Sequence, residues 1–249
     1  YAIILKDKNY LFIDGRYTIQ ADVESSKNFK IVNYQKIVNC DLFKNLTLGL
    51  DPKLFTSFQI KKFFLKNNKI KLIHKNLIDE ISKKKINITK PFFSIKTNIT
   101  GENFKSKINK LKKYLKKNRS NWIFISAAEN VAWVLNIRGY DNPNSPIPKC
   151  HLLLGNNSMY LISKRRSQIN LIKEKKIKQN QIIEPKNFQT LINKIEGKKI
   201  IIDIKSCSYF YENIFSKRFK ILKKDDPIYL LKSIKNSSEI DNMIQSHIL

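Results

Sequence analysis

Trp122-Ile-Phe-Ile-Ser126 runs without a break into the helical pattern of Ala127–Asn136, and short apolar strands keep alternating with helices as far as Leu222. A run of apolar, β-prone residues with no polar alternation offers no face to water. It reads as a strand covered on both sides. Strand–helix alternation on this scale predicts an α/β fold, a sheet layered with helices. Ahead of Trp122, Phe104, Ile108, Leu111 and Leu115 recur at i, i+4, i+7 and i+11 after Gly101, which predicts an amphipathic helix. Behind it, Cys150–Leu154 and Met159–Ile162 predict a hairpin turned at Gly155-Asn-Asn-Ser158. The alternation then predicts a helix over Lys164–Lys173, a strand over Gln181–Glu184, a helix over Phe188–Ile195 and a strand over Lys199–Asp203. A helix over Ser206–Phe215 and a strand over Phe219–Leu222 complete it.

The leading segment carries weaker signals of the same kind. Tyr1–Leu5 and Tyr10–Ile13 read as a hairpin, Arg16–Ser25 as a helix and Phe29–Tyr34 as a strand. Thr47-Leu-Gly-Leu-Asp-Pro52 reads as a strand ending in a turn, with Pro52 opening a helix that carries Leu54, Phe58, Phe63 and Phe64. Ile70–Ile73 is a strand and Asn76–Ile81 a short helix capped by Asn76. The polar, lysine-rich run up to Pro91 reads as a linker. These signals divide the chain into a first domain over 1–83, a linker over 84–91 and a second domain over 92–232. A further helix begins within 233–249, where Asn236-Ser-Ser-Glu239 has the form of a capping box and Ile240, Met243 and Ile244 follow at helical period. That pattern is still running at the last residue, and Tyr1-Ala-Ile-Ile reads as a strand already under way. The expectation is a piece of a longer reading frame.

A chain of 249 residues has room for about two domains, and no apolar run approaches the ~18 residues of a membrane span. Cys40, Cys150 and Cys207 are too far apart for ligand spacing and read as reduced thiols of a cytoplasmic protein. The net charge of +28 suggests polyanions at first sight, but only six of the 48 basic residues are arginine, the residue suited to bidentate phosphate contacts. Lysine, isoleucine and asparagine are inflated together, as an A/T-rich coding sequence would produce. The lysines scatter over helix faces such as Lys105, Lys112, Lys113 and Lys116. Neither nucleic acid nor a membrane is expected as a partner.

No residues announce catalysis. His74, His151 and His247 are dispersed among strand and helix patterns, and HExxH, CxxC, GxGxxG and GxSxG are all missing, so no catalytic residue and no metal ligand is assigned. Asp225-Asp226 precedes Pro227 in a turn and reads as a cap. The candidate binding residues lie in one proline-rich loop, where Arg138 leaves its helix, Asp141 follows three residues later, and Pro146 stands in Ser145-Pro-Ile-Pro148. Arg138 and Asp141 either brace the loop as an ion pair or face the carbonyl or carboxylate of a peptide.

Asn130-Val-Ala-Trp-Val-Leu-Asn-Ile-Arg-Gly-Tyr-Asp141 with Ser145-Pro-Ile-Pro148 resembles a segment of the long Xaa-Pro aminopeptidases of the creatinase/prolidase superfamily. Four further elements match in order. They are Phe12-Ile-Asp-Gly-Arg-Tyr17 with Gln20-Ala21, Leu48-Gly-Leu-Asp-Pro52, Asn76-Leu-Ile-Asp79, and Lys232-Ser-Ile-Lys-Asn-Ser-Ser-Glu239 with Met243 and His247. The resemblance implies two creatinase N-terminal-like domains, each a mixed sheet with flanking helices. It also implies a non-catalytic leading part of an enzyme that cleaves between an N-terminal residue and proline. In that family two divalent metal ions, usually manganese, sit in a C-terminal domain whose ligands have no counterpart in this chain. Proline-containing peptides are the implied partners of the intact parent, with a homodimer among its implied assemblies. The loop holding Arg138, Asp141 and Pro146 becomes a substrate-side wall. It departs from the family pattern at Tyr140, Asn144-Ser145 and Lys149-Cys150-His151. The rival readings are a stand-alone creatinase-like binding or oligomerisation module, and a nucleic-acid binder using the positive charge.

Overall fold

Buried Tyr10 and Phe12 alternate with half-exposed neighbours along β2 (Asn9–Ile13), which folds back antiparallel on β1 (Ala2–Ile4) with Ala2 opposite Leu11. The structure is a computed structural model that describes residues 1–38, 41–82, 90–142, 144–164 and 168–248. The chain forms two units, Tyr1–Lys75 and Asn76–Leu249. Cys40 and most of the expected linker lie outside the described residues.

In the first unit, a crossover through α1 (Thr18–Glu24) places β3 (Phe29–Asn33) parallel to β2. The first turn of the expected Arg16–Ser25 helix is 3-10, because the Asp14 carboxylate accepts from the Arg16 amide at 3.1 Å and holds that turn tight. A second crossover joins β4 (Thr47–Leu50) through α2 (Ser57–Phe63) to β5 (Lys69–Leu72), again parallel. Pro52 does not open α2, contrary to the sequence reading. The Asp51 side chain accepts from the Lys53 amide at 2.8 Å and its carbonyl accepts from Leu54 at 3.1 Å, which spends residues 51–54 on a turn. The helix starts after Thr56, whose capping box with Gln59 satisfies two orphan donors. Rings share the core with aliphatics such as Ile37 and Ile60: Phe12 meets Phe43 edge-on at 6.0 Å, and Phe55 meets Phe64 at 5.7 Å.

The second unit opens with α3 (Leu77–Ile81), capped by Asn76 as expected. There follow β6 (Phe93–Ser94), α4 (Thr97–Thr100), α5 (Phe104–Lys117), β7 (Trp122–Ile125), α6 (Ala128–Leu135) and β8 (Ile137–Arg138). The hairpin β9 (His151–Gly155) and β10 (Met159–Ile162) leads to α7 (Ile169–Lys173), β11 (Ile182–Ile183) and α8 (Phe188–Lys194). The chain then runs through β12 (Lys199–Ile202), α9 (Tyr209–Ser216), β13 (Lys220–Lys223), α10 (Pro227–Ser233) and α11 (Ser237–Ser246).

Six strands form one sheet in the order β11-β10-β9-β7-β12-β13, mixed because β9 runs antiparallel to both neighbours. All four residues of β7 are buried, as its unbroken apolar run requires. Ile123 and Ile125 face one core with Leu111 and Leu115 of α5 and Val131, Val134 and Leu135 of α6. Trp122 and Phe124 face the other core with Phe188 and Ile192 of α8 and Phe215 of α9. The layered α/β expectation therefore holds here, with helices on both faces of a mixed sheet. Three details differ from the sequence reading. The expected Lys164–Lys173 helix forms only over Ile169–Lys173, with part of that range outside the described residues. Pro227 begins a helix rather than closing a turn: the Asp226 carboxylate caps the Ile228 amide at 2.9 Å, in line with its reading as a cap, and proline needs no donor at the first helical position. The helix α11 has the expected capping box but stops at Ser246.

The turn after α4 requires glycine. Gly101 has φ of 67°, and a Cβ there would overlap the side chain of Asn236, the residue that caps α11.

Candidate functional site

The last turn of α6 must dispose of its free carbonyls, and its sequence does so with an unusual residue. Asn136 adopts the left-handed conformation at φ 51°, which asparagine tolerates better than most side chains. Its amide donates to Thr100 Oγ1 at 3.1 Å and to the Glu102 carbonyl at 2.8 Å, while its Oδ1 accepts from Lys107 Nζ at 2.7 Å. Lys107 belongs to α5 and is fully buried. Its ammonium also donates to the Trp133 carbonyl at 3.0 Å and sits 3.9 Å from the centroid of the Trp133 indole. Burial pulls this lysine down to about 8; Glu102 and Glu239 hold it up, and Arg138 and Lys110 push it further down.

Immediately beyond, β8 pairs with β6, placing Arg138 opposite Phe93 and Ile137 opposite Ser94. Lys176 reaches this ladder from the segment after α7. Its ammonium donates to Ser94 Oγ at 2.6 Å and to the carbonyls of Leu135 and Asn136 at 3.4 Å. Ser94 also bonds Glu174.

The three loop residues marked in the sequence fall into one closed structure, each with a different partner. Arg138 is half-buried and donates from Nη1 to the Ile137 carbonyl at 2.8 Å, and desolvation lowers its pKa from the ordinary arginine value. Asp141 accepts from the Lys149 amide at 2.7 Å, and the Pro146 carbonyl accepts from the Gly139 amide at 3.0 Å. The suggested Arg138–Asp141 ion pair is not formed, because Asp141 is spent on the backbone where the loop closes. Among the described residues no carboxylate bonds the guanidinium of Arg138. Gly139 is buried, and a Cβ on it would approach Pro148 Cα at 2.9 Å and Phe92 Cδ1 at 3.1 Å. Tyr140 is exposed and stacks on Phe93 at 5.1 Å. Pro143 lies outside the described residues.

Such an arrangement can recognise a carbonyl or carboxylate and an apolar ring, and among its described residues there is no nucleophile–base pair. His151 is locked by Nδ1 to the Ser126 carbonyl at 2.8 Å and packs on Phe124 and Tyr211. His247 forms the C-cap of α11. Cys150 and Cys207 are free and buried, and burial pushes both thiols up, away from the reactive thiolate. Among the described residues no group of three or more His, Cys, Asp or Glu could hold a metal ion, so a dinuclear metal site does not fit the donors present. No helix among them is long and apolar enough to cross a membrane.

Asn130 is the structural anchor of the signature segment. It is fully buried, donates to Asp226 Oδ2 at 2.7 Å and accepts from Lys232 at 2.6 Å, tying α6 to α10. Sequence reasoning passed over Lys107, Asn130, Asn136 and Lys176. One signal was available. Lys107 falls three residues after Phe104 and four before Leu111, on the apolar face of α5.

The family profile of the Creatinase/Prolidase N-terminal domain matches residues 82–239, well over half of the chain. The chain belongs to this family. It is 28% identical over 271 residues to Xaa-Pro aminopeptidase 1 of Dictyostelium discoideum, covering 99% of this chain and 43% of that protein. It is 26% identical to the Xaa-Pro aminopeptidase ApepP of Drosophila melanogaster, again over 99% of this chain and 43% of that protein. The creatinase-type chain thus spans less than half the length of these curated relatives. The fold matches an X-prolyl aminopeptidase from Caenorhabditis elegans with a TM-score of 0.82 at 19% identity, over 99% of this chain and 44% of that one. That protein is described as a cytosolic enzyme with a di-nuclear active site.

Proposed function

We propose that this chain forms the leading, non-catalytic part of an Xaa-Pro aminopeptidase. The observation that carries this reading is the coverage. Practically all of the chain aligns with Xaa-Pro aminopeptidases, and it accounts for only 43% of the length of the Dictyostelium and Drosophila enzymes. In this reading a pair of divalent metal ions, manganese by the family pattern, would be held by residues outside this chain and would supply the hydrolytic chemistry at the bond before proline. The setting is cytoplasmic. The chain's own contribution is a substrate-side wall, the Arg138–Pro148 loop. Arg138 supplies guanidinium donors for a peptide carbonyl or carboxylate, Asp141 and Pro146 close the loop behind it, and no residue of this chain touches the reacting bond.

The test begins with the purified 249-residue chain, assayed on Xaa-Pro peptides with added manganese. No turnover is expected, and hydrolysis above background would sink the non-catalytic reading. In the full-length enzyme, Arg138→Ala should raise KM for the peptide with kcat nearly unchanged, because it removes binding made equally to substrate and transition state. An unchanged KM would remove Arg138 from the substrate wall.

A further inference from the structure

The C-terminus of α6 is the origin of the loop, and two ammonium groups from distant parts of the unit converge on it. We propose that Lys107 and Lys176 are positioning residues for Arg138: by gripping the final carbonyls of α6 and the β6–β8 ladder, they set the direction in which the Arg138 loop leaves the helix.

A helix ends with four carbonyls lacking intrahelical partners and with the negative end of its dipole. Three carbonyls at this terminus, those of Trp133, Leu135 and Asn136, receive lysine ammoniums. Lys107 gives its protons to Trp133 O, to Asn136 Oδ1 and to the indole face, so the buried ammonium is satisfied without a carboxylate in hydrogen-bond contact. Lys176 adds Ser94 Oγ, on the strand whose next residue back, Phe93, pairs with Arg138. The Ile95 amide closes the same ring by donating to the Asn136 carbonyl at 2.9 Å. Asn136 is thereby held by Thr100, Glu102, Lys107, Lys176 and Ile95 in a left-handed conformation, two residues before Arg138. Packing alone does not call for this. Leucine or methionine would fill the position of Lys107 without the cost of burying a charge. What the lysines add is direction. Donors aimed at specific carbonyls fix the exit angle of β8, which apolar packing would leave to slide.

The geometric claim stands on these contacts, and only its consequence for substrate rests on the proposed function. The test is amide hydrogen exchange in the 249-residue chain, comparing wild type with Lys176→Met, Lys176→Arg and Lys107→Met. The amides of Gly139 and Lys149 report the loop, and that of Ile123 reports the centre of the sheet. In Lys176→Met, Gly139 and Lys149 should exchange about tenfold faster with Ile123 changed less than about twofold, and Lys176→Arg should restore the wild-type rates. Unchanged protection at Gly139, acceleration shared equally by Ile123, or failure of arginine to restore protection would overturn the proposal. Lys107→Met should show the same local pattern. If that variant does not fold, the Lys176 pair decides. In the full-length enzyme, a loosened loop in Lys176→Met with KM unaltered would leave the positioning role standing and remove the substrate wall.

Discussion

The two units solve the same problem, covering a sheet, with different material. The first unit, Tyr1–Lys75, has a three-stranded and a two-stranded sheet, and rings take a large share of its core: Tyr1 stacks on Tyr34 and Phe55, Phe12 meets Phe43 edge to face, and Phe63 meets Phe64 likewise. The second has a six-stranded sheet whose central strand is buried on both sides, by mostly aliphatic residues on one face and by a mixture of aromatic and aliphatic ones on the other. A small unit has a high ratio of surface to volume, so each buried side chain must bring as much apolar area as it can. A large one can close its core with many isoleucines and leucines, each contributing about 1.5–3 kcal/mol.

This difference has a sharp consequence for truncation. Phe12 is among the most buried side chains of the first unit, and Phe12→Ala should cost about 3–5 kcal/mol, enough to unfold a unit of this size. Leu152→Ala, at a fully buried position of β9, should cost about 2–5 kcal/mol and leave the second unit folded but less stable. Residue-resolved denaturation by NMR separates the two. Equal tolerance in both units would show that the first does not depend on its rings as argued.

The contrast also explains what could be read in advance. In the second unit period and element length agree, and nearly every element from Phe104 to Lys223 appears where its pattern places it. The capping box at Asn236 and the cap at Asn76 were equally legible, because a cap needs only residues a few positions apart. Misreadings cluster where a side chain overrides a composition rule. Asp51 kept Pro52 in the expected turn but out of the helix it was thought to open, and Asp226, legible as a cap, caps a helix begun by Pro227 where a turn was expected. The loop with Arg138, Asp141 and Pro146 was found from its proline content, but its wiring was not. Partners such as Lys176 and Asn136 lie some forty residues apart, and no local pattern links them.

Within the second unit, the sheet and the loop should respond differently to small insults. Gly139→Ala should cost about 1–3 kcal/mol, since a Cβ meets the Pro148 backbone, which cannot swing aside as a flexible side-chain end would. A cost below about 0.5 kcal/mol in urea denaturation would mean that the loop is looser than its contacts imply. Lys107 adds a pH signature. Its folded pKa of about 8 lies below the ordinary 10.5, so between those values the unfolded chain holds a proton that the native protein has released. Stability of the wild type relative to Lys107→Met should therefore rise as pH increases from about 8 to 10.5, by on the order of 1–3 kcal/mol, and lack this slope below pH 8. A difference that stays flat or falls across that window would show that the ammonium is not desolvated as the structure has it.

The smallest expected effect lies in the first unit, on α1. This helix buries no residue, and its two branched aliphatics, Ile19 and Val23, are 80% and 81% exposed. An exposed valine contributes no core packing, and its branched side chain loses rotamer freedom in a helix. Lysine is a better helix former by a few tenths of a kcal/mol, and α1 has no basic residue in its last turn to complement the dipole. Against this stands the repulsion of one more cation in a chain that already carries +28. The opposing terms are of similar size, so Val23→Lys should change stability by less than about 0.5 kcal/mol. A loss above about 1 kcal/mol in the same urea titration would contradict the exposure itself, because it would require that Val23 be covered in solution. Should Ile19→Lys show the same loss, one turn away on the same face, the small unit would owe part of its stability to a surface laid over α1, and its ring core would no longer be a sufficient account of why it folds.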